Sequence, residues 1–218
     1  RQMCIRDSSK LKFNDYFVQE GLAFRFTPFN YRVWGDAEGD NGYAVDIEKL
    51  YDNVMNRYKY GGLDTPGLYL DETTLRTCYY HRRLFAQLAK ELIKQGDHVR
   101  ARKVLTYAEQ AVPAYNVPEI YESGSFDIAT AYAALGEKTK AVTLFNHLIA
   151  ESEDYINWAF SLGNGRTGMM QNDCLYKFWQ WNAYNERMKK IDKESYEASN
   201  RRFEEKYALF TQIINNRN

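Results

Sequence analysis

The stretch AKELIKQGDHVRARKVLTYAEQAVP, residues 89–113, decides the fold of this chain because its pattern returns 40 residues later as ATAYAALGEKTKAVTLFNHLIAESE, residues 129–153. Seven anchor positions recur at identical spacing. They are Ala89, Leu92, Gly96, Ala101, Leu105, Ala108 and Pro113 in the first copy, and Ala129, Tyr132, Gly136, Ala141, Phe145, Leu148 and Glu153 in the second. Small residues at a helix contact, a glycine at the turn and larger apolar residues between them predict two antiparallel helix pairs.

This spacing is typical of a tetratricopeptide helix pair, and only Glu153 departs from it, by replacing the closing proline. Residues 114–124, with Pro118 and Gly124, lengthen the repeat beyond its usual period of about 34 residues. We therefore expect a mainly α fold, a tetratricopeptide-like helical repeat forming an α-α superhelix, with a small N-terminal strand and loop segment.

The pattern around the repeats predicts the remaining elements. Asp46 is the expected N-cap of a helix that reaches about Tyr58, and alternation at Leu22, Phe24 and Phe26 predicts one short strand. Helices are expected near 72–95, 98–111, 125–135, 138–150, 151–162, 172–190 and 193–215, with a loop at 163–168. The predicted domains are 9–71, a strand and loop region with one helix packed on the repeats, and 72–218, the helical domain with C-terminal capping helices.

Residues 1–8, RQMCIRDS, are expected to be an artefact. The DNA sequence AGA CAG ATG TGT ATA AGA GAC AGC would encode them, and it resembles a transposase adapter used in sequencing libraries, joined to part of a second copy. On this interpretation the natural sequence begins near Ser9 and more chain lies upstream.

Charge and hydropathy exclude two classes of partner. The 218 residues carry 29 basic and 29 acidic side chains, so the basic footprint of a nucleic-acid binder is missing. No stretch approaches the roughly 20 apolar residues of a membrane helix, so no direct membrane insertion of this chain is expected. Aromatic residues reach 16%, which suits both buried packing and docking surfaces.

Candidate catalytic and metal-binding patterns are weak. Asp36, Glu38 and Asp40 alternate as in a calcium loop, but Asn41 and Ile47 replace the glycine and glutamate that such a loop requires. His81, His98 and His147 lack the spacing of zinc ligands. Cys78 lies one helical turn from His81, but no third residue that would orient such a catalytic pair can be identified. The segment GNGRTG at 163–168 lacks the Lys-Ser or Lys-Thr ending of a phosphate-binding loop. We expect no catalytic residue, metal or cofactor in this chain.

Three further sets of residues are candidates for solvent-exposed or ligand-binding surfaces. The basic residues Arg82, Arg83, Arg100, Arg102 and Lys103 are interpreted as a solvated helix face. Trp179 and Trp181 fall on different faces of one helix, so at least one of them can be exposed. Core packing is the default expectation for these rings, and contact with a sugar or a protein is the alternative. If the concave face of the repeats binds a ligand, the candidate groove-lining residues are Tyr80, Gln87, Glu91, Asp127 and Tyr132.

Five phrases carry a resemblance to a known family. They are EGLAFRFTP (20–28), VDIEKLYDNVMNRYKYGG (45–62), LYLDETTLR (68–76), FAQLAKELIKQGDHVRARKVL (85–105) and YINWAFSL (155–162). Together they resemble the C-terminal region of a bacterial family of large multi-span membrane proteins, long described as a domain of unknown function. That family is related to a vertebrate protein O-mannosyltransferase with C-terminal tetratricopeptide repeats. The resemblance covers roughly 16–162, and the aromatic helix at 172–190 matches no phrase of the family.

The resemblance implies that catalysis and binding belong to different parts of the protein. In the family the multi-span part resembles lipid-phosphate-sugar glycosyltransferases, and its catalytic acid lies in that part. This chain would then be a non-catalytic extracytoplasmic C-terminal domain at the periplasmic face of the inner membrane. Its partners would be its own upstream membrane domain and an acceptor protein or peptide. Two alternatives remain open: a glycan-binding outer-membrane lipoprotein of the starch-utilisation type, and a free-standing tetratricopeptide scaffold.

Overall fold

The computed structural model describes residues 13–30 and 43–215, and these are mainly helical with a small N-terminal sheet. The described residues form two compact units, one ending at Pro118 and the other beginning at Glu119. The first unit therefore groups the N-terminal strands with the first helix pair.

The N-terminal sheet has three short strands, β1 (Phe17–Gln19), β2 (Phe24–Phe26) and β3 (Ala44–Val45). The strand order is β2-β1-β3, with β1 antiparallel to β2 and parallel to β3. The strand predicted from alternation at Leu22, Phe24 and Phe26 is present as β2, but the prediction of a single strand was wrong, because β1 and β3 pair with one another without an alternating sequence pattern. The alternating residues of β2 are all exposed, while Val18, Ala44 and Val45 form the buried part of the sheet.

Helix α1 (Ile47–Asp52) begins where the sequence predicted, since the Asp46 carboxylate accepts a hydrogen bond from the Lys49 amide at 3.1 Å. A π-helical turn continues it over Asn53–Arg57. Side-chain hydrogen bonds join this N-terminal region to the first helix pair: the Gln87 amide donates to Gln19, and Arg100 donates to both Glu48 oxygens, each at 2.8 Å.

The first helix pair consists of α2 (Glu72–Lys94) and α3 (His98–Ala111). The carboxylates of Asp71 and Asp97 cap their N-termini by accepting backbone amide hydrogen bonds. The anchors Ala89, Leu92, Ala101, Leu105 and Ala108 are all buried.

The second pair consists of α4 (Ser125–Ala134) and α5 (Lys138–Ser161). Its anchors are buried in the same way: Ala129, Tyr132, Ala141, Phe145 and Leu148. The helices expected at 138–150 and 151–162 are one continuous helix. No glycine or proline lies between 137 and 162, so nothing in the backbone ends α5 earlier.

Three helices follow, α6 (Asn164–Met169), α7 (Gln171–Met188) and α8 (Lys193–Asn215). The loop expected at 163–168 is instead the short helix α6. Its Thr167 hydroxyl is buried and donates to the Ala159 carbonyl at 2.7 Å, a bond to the end of α5 that glycine-rich composition alone does not reveal. Within the part of the chain that the structure describes, no helix is both long and apolar enough to cross a membrane.

A candidate binding hollow on helix α5

One face of helix α5 carries a surface hollow of about 430 Å³, which we call the α5 hollow. Its lining residues follow a helical spacing of three and four, so they share one face of the helix. They are His147, Ala150, Glu151, Asp154, Tyr155 and Trp158.

Two aromatic side chains form the apolar part of the α5 hollow. The rings of Tyr155 and Trp158 meet edge to face with their centroids 5.5 Å apart, and 50% of the Trp158 side chain is exposed. Burial, together with the negative charge and hydrogen bond of Asp173, raises the pKa of the Tyr155 hydroxyl. Tyr155 is therefore neutral at physiological pH and offers a ring face.

Charged groups surround these rings. Lys177, from α7, donates to both Glu151 oxygens at 2.9 and 3.0 Å, and its ammonium lies 5.6 Å from the centre of the Tyr155 ring. His147 Nδ1 lies 2.8 Å from a Glu119 oxygen. The Asp154 carboxylate is exposed, and none of the described residues forms a hydrogen bond or ion pair with it.

A second aromatic surface, the α7 platform, consists of Tyr121, Tyr176 and Trp179. The rings of Tyr176 and Trp179 are nearly parallel, at 11°, with centroids 5.8 Å apart, and Tyr121 meets Trp179 edge-on at 5.4 Å. Trp179 is 52% exposed, whereas Trp181 is fully buried and donates to the Ser199 hydroxyl at 2.8 Å. The expectation that at least one of the two tryptophans can be exposed is confirmed, whereas contact with a sugar or a protein stays a prediction.

A smaller hollow of about 150 Å³ lies beside β2 in the first unit. Its polar groups are already paired with one another: the Tyr58 hydroxyl accepts from the Leu22 amide, and Asn53 donates to the Glu20 carbonyl. This hollow therefore offers few free groups for a ligand.

The candidate groove residues of the first unit lie on α2, and two of them are already engaged. Tyr80 is exposed, with the Arg83 guanidinium 4.6 Å above its ring. Gln87 is partly covered and bonded to Gln19, and Glu91 is 1% exposed with Lys94 at 2.7 Å.

The candidate groove residues of the second unit differ in exposure. Asp127 is exposed on α4, whereas Tyr132 is buried beneath Lys140, whose ammonium lies 4.8 Å from the ring centre. That all five residues line one groove stays a prediction.

The interpretation of Arg82 as part of a solvated face was wrong. Arg82 is 3% exposed, and its guanidinium donates to the backbone carbonyls of Val112, Val117 and Pro118, at 2.9, 2.6 and 2.6 Å. Its neighbour Arg83 is exposed, as expected. A single turn of α2 thus holds one structural and one surface arginine.

The remaining candidates are placed as follows. Asp36, Glu38 and Asp40 lie outside the described residues. Burial raises the pKa of the Cys78 thiol and lowers that of the half-buried His81. Among residues 13–30 and 43–215, no group of three or more histidine, cysteine, aspartate or glutamate side chains is arranged to hold a metal ion.

Sequence reasoning missed the α5 hollow, although its signal was present. The three-and-four spacing of polar and aromatic residues from His147 to Trp158 predicts one exposed face, but only if α5 is known to continue past Ala150. Comparison of the chain with protein-family models, with curated proteins and with solved structures gave no match.

Proposed function

We propose that this chain is a non-catalytic binding or support module built from tetratricopeptide-like helix pairs. It would serve as the extracytoplasmic C-terminal domain of a membrane glycosyltransferase of the protein O-mannosyltransferase type, at the periplasmic face of the inner membrane. In that role it holds an acceptor polypeptide or braces the membrane-embedded enzyme.

The observation that best supports a structural repeat is the matching geometry of the turns in the two helix pairs. Gly96 and Gly136 both have left-handed backbones, with φ of 80° and 79°. The Asp97 amide donates to the Leu92 carbonyl, and 40 residues later the Glu137 amide donates to the Tyr132 carbonyl, both at 2.9 Å. Matching hydrogen bonds at a matching offset support two copies of one structural unit.

The surfaces of the second unit support binding rather than bond-making chemistry. The α5 hollow and the α7 platform present ring faces and carboxylates, which are groups that hold a ligand through stacking and ion pairing. In the family that the chain resembles, the catalytic acid belongs to the membrane part.

The α7 platform favours a second candidate function, that of a glycan-binding outer-membrane lipoprotein. Two half-exposed rings in nearly parallel planes, Tyr176 and Trp179, suit stacking against the apolar face of a sugar ring. On this alternative, Trp179→Ala abolishes binding of the chain to immobilised oligosaccharides, while Trp158→Ala leaves that binding intact.

Sequencing the source DNA with long reads across the 5′ side of the gene tests the proposal. We expect several hydrophobic segments in frame with the region near Ser9, and no RQMCIRDS codons. A frame that opens with a lipoprotein signal would instead favour the glycan-binding alternative. A plain start codon at this point would overturn both and leave a free-standing scaffold.

A further inference from the structure

We infer that the α5 hollow binds the guanidinium group of an arginine in an extended polypeptide. This inference rests on the proposed function of the chain as a polypeptide-binding module, and it names the side chain that the module recognises.

The protein itself contains the template for this interaction. Glu151 and Tyr155 stand four residues apart on α5, and together they hold the Lys177 ammonium, by two hydrogen bonds and by its position over the tyrosine ring. A carboxylate and an aromatic ring at this spacing on a helix face thus form a seat for one cation.

Asp154 and Trp158 repeat that arrangement three residues further along the same helix. They are again a carboxylate and an aromatic ring four residues apart, and both line the α5 hollow. Among the described residues no lysine or arginine occupies this second seat, since Asp154 has no ion pair and Trp158 packs edge-on against Tyr155 alone. The second seat therefore accepts a cation from outside the chain.

The charge around the α5 hollow favours a cationic ligand over a neutral or anionic one. Glu119 lies against His147 and Asp173 against Tyr155, so two more carboxylates stand at its edge. The Lys177 ammonium, which lies over the Tyr155 ring, is already neutralised by Glu151. A phosphate or sulfate group would be repelled, and a neutral sugar would gain nothing from this field.

Geometry favours arginine over lysine. A planar guanidinium can stack on the exposed indole of Trp158 while its N–H groups donate to the Asp154 carboxylate, whereas an ammonium lacks the flat face. An open hollow of about 430 Å³ leaves room for one long side chain.

The test is a titration followed through the tryptophan indole N–H signals in two-dimensional NMR, with the Trp158 signal identified from Trp158→Phe. The probe is the blocked peptide Gly-Gly-Arg-Gly-Gly, compared with the same peptide carrying citrulline, the neutral isostere of arginine. We expect the arginine peptide to shift the Trp158 signal saturably and the citrulline peptide to bind about tenfold more weakly. The buried Trp181 indole serves as the internal reference.

Two variants with equal charge changes complete the experiment. Asp154→Asn is expected to weaken binding of the arginine peptide at least about fivefold. Glu186→Gln, at an exposed position on α7 outside the hollow, is expected to bind it like the parent chain.

Three outcomes would overturn the inference. They are an unchanged Trp158 signal up to about 20 mM peptide, equal binding of the citrulline peptide, and equal weakening by the two variants. The titration measures peptide binding at the α5 hollow alone, whereas the proposed accessory role is tested by the upstream gene sequence. The failure of one is therefore distinguishable from the failure of the other.

Discussion

Arg82 shows how burial changes the role of a charged side chain. Its three carbonyl partners belong to the segment that follows α3, so one guanidinium joins α2 to a connection that contains no helix or strand. Arg83, the next residue, is exposed, and its guanidinium lies over the Tyr80 ring. The sequence shows two adjacent arginines and gives no sign of this difference.

Arg82→Ala is predicted to lower the free energy of unfolding by about 3 kcal/mol, because it leaves the buried carbonyl groups of Val112 and Val117, and the partly buried one of Pro118, without a charged donor. Arg83→Ala is the matched control, with an expected loss below about 0.5 kcal/mol. Urea denaturation followed by circular dichroism measures both. Equal effects of the two substitutions would contradict the structural role of Arg82.

His81 makes the stability of the first unit depend on pH. It lies edge-on to the Tyr60 ring at 5.3 Å, its buried Nδ1 has no partner among the described residues, and burial lowers its pKa. The unfolded chain, with the ordinary value of about 6.5, therefore binds a proton before the folded chain does. Stability is fully present above that value and is lost as the pH falls below it.

His81→Gln removes the titrating group, so the fall in urea midpoint between about pH 7 and pH 5 should become smaller than in the parent chain. His98→Gln serves as the matched removal of an exposed imidazole. Parallel curves for the parent chain and His81→Gln would show that His81 does not carry this dependence.

At the scale of elements, the two helix pairs were predicted well and the segments around them less well. Anchor spacing placed the turns at Gly96 and Gly136, because a left-handed residue after a helix is most often a glycine. The helix α6 was missed because a glycine-rich composition normally indicates a loop. The Thr167 bond to Ala159 that supports this short helix is a tertiary contact.

Gly96→Ala and Gly136→Ala are each predicted to cost about 1–2 kcal/mol, because an alanine disfavours a left-handed backbone. An added Cβ meets no atom within 4 Å at either position, so the cost comes from the backbone alone and should be similar in both turns. Gly165→Ala, inside α6 and equally open, is the control and should not destabilise. Very different costs at Gly96 and Gly136 would argue against two copies of one unit.

At the scale of the whole molecule, each compact unit has an apolar core of its own. In the second unit the fully buried large side chains include Phe145, Leu148, Ile149, Ile156, Trp181 and Tyr184, all contributed by α5 and α7. The Trp181 indole, the Ser199 hydroxyl and the Asn185 carbonyl oxygen form a buried chain of hydrogen bonds at 2.8 and 2.7 Å that also fixes α8.

Residues 119–215 expressed alone are therefore predicted to fold as a cooperative helical unit. A chain of about this length can bury a sufficient core. Circular dichroism should show a high helix content, and urea denaturation should show a single sharp transition. A broad transition with little helical signal would mean that the second unit depends on the first.

The candidate site was less predictable than the fold, for a physical reason. A binding hollow depends on which faces of a helix remain exposed, and exposure follows from packing between elements distant in sequence. Lys177 reaches Glu151 across 26 residues of chain, and that contact leaves Asp154 as the free carboxylate of the α5 hollow. No local pattern distinguishes Glu151 from Asp154.

The sequence by itself determined where the two helix pairs begin and turn, because periodic apolar anchors, capping aspartates and turn glycines act through bonds within a few residues of one another. Only the tertiary structure decided which individual side chains are buried, exposed or paired. Arg82 became buried, Trp158 stayed exposed and Asp154 stayed unpaired because the free energy of a polar group depends on the solvent and partners that packing leaves to it.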